Sequence, residues 1–199
     1  MFWRLFLYYG IHHLMEKRAT IPMIDWTWTE VDRLEKQEKW NEAKRYLLNS
    51  WRQHPEDLKT VIRLGFFCWY VTFEHGPLGI TEKDINIEEL EALLKEVTHD
   101  GLRHFLNQEE FLWCFGYMIA MTPYYFGEDD EWEEKGTSML RRAHELCPDE
   151  PIYAYSYLGS FSNTYGTREY ELQQVQNVLE DRFKGEGLLS DYFKSIYAQ

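Results

Sequence analysis

Apolar residues recur every three or four positions along most of this chain, the spacing of helices that bury one face. The clearest case is residues 40–53, where Ala43 and Leu47 fall on the same face. Two later runs, 61–73 and 111–126, carry one charged residue and none. Both are too short to cross a bilayer, so they predict central helices that are covered on all sides. The pattern predicts an all-α protein.

Polar residues, prolines and glycines predict where these helices begin and end. Thr27, Asn86, Asn107, Thr167 and Ser190 are expected as N-caps. The expected helices are 27 to about 37, 40–53, 56 to about 73 with Pro55 at its first turn, 86 to about 105, 107–126 closed by Gly127, one from 129 or 130 to about 146, 152–164, 167 to about 183, and a last one from 190.

Three further features complete the expected architecture of a single helical-repeat domain over residues 1–199. An aromatic helix is expected over residues 1–14, a capping helix at the C-terminus, and an insertion loop over residues 75–86. The alternation in residues 153–157 would also suit a strand. The spacing of Tyr153, Tyr157, Phe161 and Tyr165 favours a helix.

An internal repeat supports stacked antiparallel helix pairs. The first window has an aromatic residue, a small one, a bulky one, a second small one and a closing proline, followed by a Leu-Gly pair. These are Trp40, Ala43, Leu47, Ser50, Pro55 and Leu64-Gly65. The second window matches through Gly136, Ala143, Pro148 and Leu158-Gly159. Small residues let paired helices approach closely, and proline ends the second helix of a pair. The first window resembles the tetratricopeptide repeat, which implies an irregular stack of helix pairs over about residues 28–165.

The net charge of −13 is concentrated in one part of the chain. Residues 81–150 hold 18 acidic and six basic residues, whereas residues 1–60 hold nine acidic and ten basic residues. Such a balance excludes a general nucleic-acid binder and disfavours a basic membrane-surface protein, since both depend on clustered Lys and Arg. Three cysteines without a C-x-x-C pair predict a reduced, cytoplasmic protein, with Cys68 and Cys114 buried.

Acidic residues gather at two predicted helix starts. Six acids occupy seven positions of residues 128–134, more than favourable helix-dipole interactions explain. If alternate helices are parallel, both starts lie at one end and form a negative face. We expect this face, with nearby aromatic anchors, to bind a partner through Glu82, Asp84, Glu88, Glu89, Glu91, Tyr124, Tyr125, Glu128, Asp129, Asp130, Glu131, Trp132, Glu133 and Glu134.

Catalytic and metal-binding chemistry has weak support. The acids after Gly127 lack the spacing of a calcium loop. The dipeptide His99-Asp100, with His104 and His12-His13, resembles part of the pattern of metal-dependent HD phosphohydrolases. None of the paired carboxylates stands in an apolar segment that would raise its pKa for acid catalysis. We therefore expect no enzyme activity, cofactor or metal.

The general character of the chain resembles immunity proteins of bacterial contact-dependent growth inhibition systems. That resemblance implies a cytoplasmic inhibitor that binds a basic toxin domain, such as an RNase or DNase, without itself contacting nucleic acid or membrane. The alternative is a tetratricopeptide-like adaptor that holds a peptide or regulatory partner in a concave groove. The aromatic stripe Tyr153, Tyr157, Phe161 and Tyr165 would line that groove, or else pack in the core.

Overall fold

The chain forms helices, most of which pack against the next helix along the chain. The computed structural model describes residues 24–81, 83–160 and 165–198, without the side chains of 165–167. The expected helix over residues 1–14 lies outside this part. The helices are α1 (Thr29–Lys36), α2 (Trp40–Gln53), α3 (Leu58–Glu74), α4 (Ile87–His104), α5 (Glu109–Met121), α6 (Asp129–Leu146), α7 (Pro151–Gly159), α8 (Tyr165–Arg182) and α9 (Leu188–Tyr197), with a 3₁₀ turn at Pro123–Tyr125.

The all-α prediction is confirmed. The described residues contain no strand, and residues 153–157 are helical. Within the same part of the chain, no helix combines the length and apolar character needed to cross a bilayer. The tetratricopeptide resemblance remains a prediction.

The tightest helix pair is α5 with α6, and two glycines explain it. A Cβ placed on Gly136 would lie 2.8 Å from the backbone nitrogen of Ala120, and one on Gly116 would lie 3.1 Å from that of Leu140. From one contact to the other, the residue number rises along α5 and falls along α6, so the two helices are antiparallel. Gly136 therefore permits the close approach of α5 and α6.

Two capping predictions have clear outcomes. The Asn86 side chain accepts a hydrogen bond from the Glu89 backbone N–H at 2.9 Å, so the predicted N-cap of α4 is confirmed. The predicted cap Asn107 is wrong, because Gln108 precedes α5 and makes no side-chain capping bond. Pro55 is not in the first turn of α3, since Asp57 caps that helix by accepting from Thr60 N–H at 3.0 Å.

Other boundary predictions are also corrected. α1 begins at Thr29 rather than at a Thr27 cap, and the Asp32 carboxylate accepts from the Trp28 N–H at 2.9 Å. Thr167 lies inside α8, and Ser190 lies inside α9 after its N-cap Gly187. α7 ends at Gly159, before residue 164.

Helix α5 ends at Met121, six residues before the predicted Gly127. Pro123 explains the early end, because proline disfavours helical geometry in the residue before it and lacks an N–H for the helix. Thr122 accordingly has φ −147° and ψ 64°.

The C-terminal helix α9 completes the core. Phe193 contacts Phe66 of α3 and Trp113 of α5, with ring centroids 5.7 and 4.6 Å apart. Tyr197 contacts α7, where its hydroxyl lies 3.2 Å from that of Ser156. α9 thus packs against α3, α5 and α7 together. Cys68 and Cys114 are buried and free, as expected.

Candidate functional site

Residues 128–134, called the acidic segment below, begin α6. Glu128 is the N-cap residue, and Asp129, Asp130 and Glu131 form the first turn, where the helix dipole favours negative charge. All six carboxylate side chains are exposed. The ammonium of Lys135 lies 3.6 Å from Glu131. The segment therefore presents a compact group of solvated negative charges at one end of the α5–α6 pair.

Trp132, by contrast, is buried within the protein. Only 7% of it is exposed, and its ring lies against Phe126 and His99 with centroids 5.8 and 6.1 Å away. Lys135 covers another part of the ring at 4.1 Å. The expectation that Trp132 offers its ring to a partner does not fit this placement, since the ring already joins α4 to the start of α6.

The adjoining 3₁₀ turn does expose an aromatic ring. Tyr124 is 54% exposed and lies 4.6 Å, between ring centroids, from Tyr125. Tyr125 is partly buried, and burial, with smaller contributions from Tyr124 and Glu91, raises its pKa. Glu91, near the start of α4, thus acts electrostatically on the turn that precedes the acidic segment.

The second acidic group lies at the other predicted helix start. Glu82 is outside the described residues. Asp84 accepts hydrogen bonds from the hydroxyl and N–H of Thr81, and these bonds lower its pKa. Glu89 accepts from the buried Lys44 at 2.6 Å. Asp84 and Glu89 therefore have internal partners, whereas Glu88 is exposed and Glu91 partly buried.

The two helices that begin with acidic residues run in the same direction but are offset along their axes. A Cβ on Gly101, near the end of α4, would meet the ring of Phe111, near the start of α5. Glu91 and Tyr125 approach each other at the opposite ends of these helices, so α4 and α5 are antiparallel. Since α5 and α6 are antiparallel too, α4 and α6 run in the same direction. Trp132 near the start of α6 contacts His99 in the C-terminal part of α4, so the acidic segment lies beside the later part of α4.

No family model, curated protein or solved structure gives a significant match to this chain.

The residues proposed for metal chemistry do not form a site in the described part of the chain. There, no group of three or more His, Cys, Asp or Glu side chains could hold a metal ion. His99 contacts the carbonyl of Lys95 through Nδ1 at 3.0 Å, and His104 lies 3.5 Å from Asp100. His12 and His13 are outside the described residues.

The predicted aromatic stripe is divided where it is described, because Tyr157 lines an open cavity beside Glu133 and Glu134 of α6, whereas Tyr153 does not. Tyr153 is buried, and Tyr157 stacks on His144 with ring centroids 5.8 Å apart. The side chains of Phe161 and Tyr165 lie outside the described part. The common side of α3, α5 and α7 is covered by α9.

Sequence reasoning missed two buried ionic clusters. Arg63 donates to Asp32 at 2.8 Å and to Glu35 at 3.1 Å, and Glu35 also accepts from the Leu188 N–H. Burial raises the pKa of Glu35, although Arg63 opposes the shift. The available signal was that Arg63 is the only charged residue in the apolar run 61–73.

The second cluster joins α8 to α5 and α7. Arg182 is buried and hydrogen-bonded to Glu110, with Glu150 3.8 Å away and the Tyr153 hydroxyl 3.5 Å away. Burial raises the pKa of Glu110, which corrects the expectation that no carboxylate here has a raised pKa. Burial alone would lower the pKa of Arg182, but Glu110 and its neighbours outweigh that effect and raise it. We regard both clusters as structural, since they anchor the C-terminal segment.

Proposed function

We propose that this protein is a cytoplasmic inhibitor that binds a basic bacterial toxin domain, such as a nuclease, in the manner of an immunity protein. The observation that carries the proposal is the exposure of all six carboxylates of the acidic segment beside the exposed Tyr124. No catalytic residue, cofactor or metal is part of the proposal.

The mechanism is electrostatic capture followed by exclusion of substrate. A concentrated negative charge attracts a basic surface and raises the association rate. Once bound, the carboxylates would occupy positions that the toxin uses for phosphate groups. Tyr124 would supply an aromatic contact, since exposed tyrosines are favoured in interfaces. Trp132 would instead keep the start of α6 in position.

The adaptor alternative has less support. A peptide in the concave groove needs an accessible inner surface, but α9 packs against α3, α5 and α7. Phe193 and Leu189 of α9 are fully buried, so α9 is part of the core.

The test is co-expression with the C-terminal domain of the protein encoded next to this one, which the proposal requires to be basic and toxic. We expect the wild-type chain to restore growth, and the purified pair to associate at a rate that falls steeply with salt. The variant Glu128→Lys/Glu133→Lys/Glu134→Lys should lose at least tenfold in affinity. These positions avoid the first-turn acids, whose reversal would also weaken α6.

The matched control is Glu56→Lys/Glu169→Lys/Glu180→Lys, which makes the same charge change at exposed positions elsewhere and also avoids the first turns of helices. It should keep most of the affinity. Equal losses in both variants, or an association rate independent of salt, would contradict an acidic-segment interface.

A further inference from the structure

A cavity of about 270 Å³ lies where α5, α6, α7, α8 and α9 meet. Its walls are mainly apolar and aromatic, with Tyr117, Leu140, Tyr155 and Ile196 among them. Met121, which is 49% exposed, lies on its rim and marks an opening to solvent. The cavity is separate from the acidic segment and has no part in the proposed toxin interface.

Arg168 is the one charged residue among the described lining of this cavity. Its guanidinium lies over the Tyr155 ring, 4.8 Å from the centroid, and Nη2 is 3.1 Å from the Tyr155 hydroxyl. The guanidinium also lies beside Gly159, where a Cβ would be in van der Waals contact with Nη2 at 3.4 Å. Tyr155 is itself held against Tyr197, with ring centroids 5.5 Å apart. The guanidinium is therefore fixed in orientation.

The Nε of Arg168 is buried and has no hydrogen-bond partner among the described residues. Arginine stays protonated, and a buried donor without an acceptor is costly. The two serines of the wall have other partners, because Ser156 bonds to Trp113 and Tyr197, and Ser160 donates to the Tyr157 carbonyl. The cavity thus combines a mainly apolar wall with one cationic side chain.

We propose that this cavity binds a small apolar monocarboxylate, with the carboxylate on Arg168 and the hydrocarbon part against α5, α6 and α9. A carboxylate matches the planar fork of the arginine guanidinium. The volume lies between a cavity of roughly 150 Å³ that holds benzene and ordinary ligand pockets of about 300–1,000 Å³. A single ring with a short chain, or a medium-length acyl chain, has the corresponding size.

The test uses the full chain with ¹³C-labelled methionine and isoleucine methyl groups. Titration with 3-phenylpropionate, and separately with octanoate, should give saturable one-site shifts of Met121 and Ile196 but not of Met139, which lies outside the cavity. Whichever acid binds with the higher affinity shows whether the cavity prefers an aromatic or an aliphatic ligand. The neutral 3-phenylpropionamide and 1-octanol should bind at least tenfold more weakly, since a charge-assisted hydrogen bond is lost.

Variants assign the carboxylate contact. Arg168→Met should weaken binding of the acids about tenfold or more and leave binding of the neutral analogues unchanged. Arg168→Lys keeps the positive charge without the planar guanidinium, so its affinity for the acids should lie between those of the wild type and Arg168→Met. Arg142→Met, an exposed guanidinium on α6, is the matched control. Ala120→Leu should fill the cavity and block every ligand. Circular dichroism and melting temperature check that each variant is folded.

Two results would overturn the proposal. One is the absence of saturable shifts at Met121 and Ile196 with both acids. The other is binding of the acids to Arg168→Met as tightly as to the wild type.

Discussion

Gly136 decides how closely α5 and α6 approach. A Cβ at this position would lie 2.8 Å from the Ala120 nitrogen, 2.9 Å from Ile119 Cγ2 and 3.1 Å from the Gly116 carbonyl. Two of these atoms belong to the backbone and cannot rotate away. The helix axes must therefore separate before any larger residue fits.

Gly136→Ala should lower the free energy of unfolding by about 1–3 kcal/mol, because overpacking outweighs the better helix propensity of alanine. Guanidinium unfolding measures this. Gly76→Ala is the control, since a Cβ there meets nothing within 4 Å. A Gly136→Ala protein as stable as the wild type would contradict the close crossing.

The two buried arginines, Arg63 and Arg182, are each neutralised by carboxylates from distant parts of the chain. Glu35 also accepts the Leu188 N–H at 2.9 Å, so Arg63 and Glu35 tie α1 and α3 to the start of α9. Removing one member of such a cluster leaves the others buried without compensation.

Glu35 also makes stability depend on pH. Its pKa is raised above 4.5, so between 4.5 and the folded pKa the folded state holds a proton that the unfolded state has released. This contribution to stability is complete below pH 4.5 and is lost as pH rises through the folded pKa. Guanidinium unfolding from pH 4 to 8 should show that Glu35→Gln removes this fall.

The control for this profile is Glu186→Gln. A hydrogen bond from Lys36 lowers the pKa of Glu186, so its contribution is present at high pH and is lost on acidification. The two variants should change the pH profile in opposite directions. Identical profiles would contradict the burial of Glu35 as the cause.

At the scale of helices, a boundary prediction is correct where the expected N-cap side chain accepts a backbone hydrogen bond and wrong where it does not. Asn86 and Asn107 look equivalent in sequence, since each is followed three residues later by glutamate. Only Asn86 accepts the backbone hydrogen bond, because α5 begins two residues after Asn107 and not one.

Asn86→Ala should therefore cost about 1 kcal/mol of stability, the usual value of an N-cap. Asn107→Ala should change stability by less than about 0.5 kcal/mol, as for an ordinary exposed substitution. Thermal or guanidinium unfolding compares them. Equal costs would mean that both asparagines cap helices.

At the scale of the whole molecule, α9 links the two ends of the described chain. It packs on α3, α5 and α7, and Glu35 and Arg182 hold the residues on either side of the turn before it. We therefore expect one cooperative unfolding transition, followed identically by tryptophan fluorescence and circular dichroism.

Phe193→Ala tests that link. Phe193 is fully buried, so its truncation should cost about 3–5 kcal/mol and expose aromatic surface that binds a hydrophobic dye. Tyr170→Ala, at a residue that is 62% exposed on α8, should cost less than about 0.5 kcal/mol. Two separate transitions in the wild type, or a small cost at Phe193, would contradict the closing role of α9.

The sequence predicted α2 and α6 to the residue or nearly so, because the periodicity of apolar positions continues along each helix and ends with it. It also predicted that the six acids of residues 128–134 lie at a helix start. The sequence interpretation is wrong for Trp132, which it places on the partner-binding surface. Contacts with Phe126 and His99 bury the Trp132 ring instead.

Local interactions explain what the sequence determined by itself: the all-α class, most helix positions and the concentration of charge in residues 81–150. Each depends on residues a few positions apart. Tertiary structure alone decided that α9 covers the common side of α3, α5 and α7, that Arg63 and Arg182 are buried with distant carboxylates, and that Arg168 lies in the wall of a cavity. Those features join residues far apart in the chain, and nothing in the local pattern of either partner specifies the other.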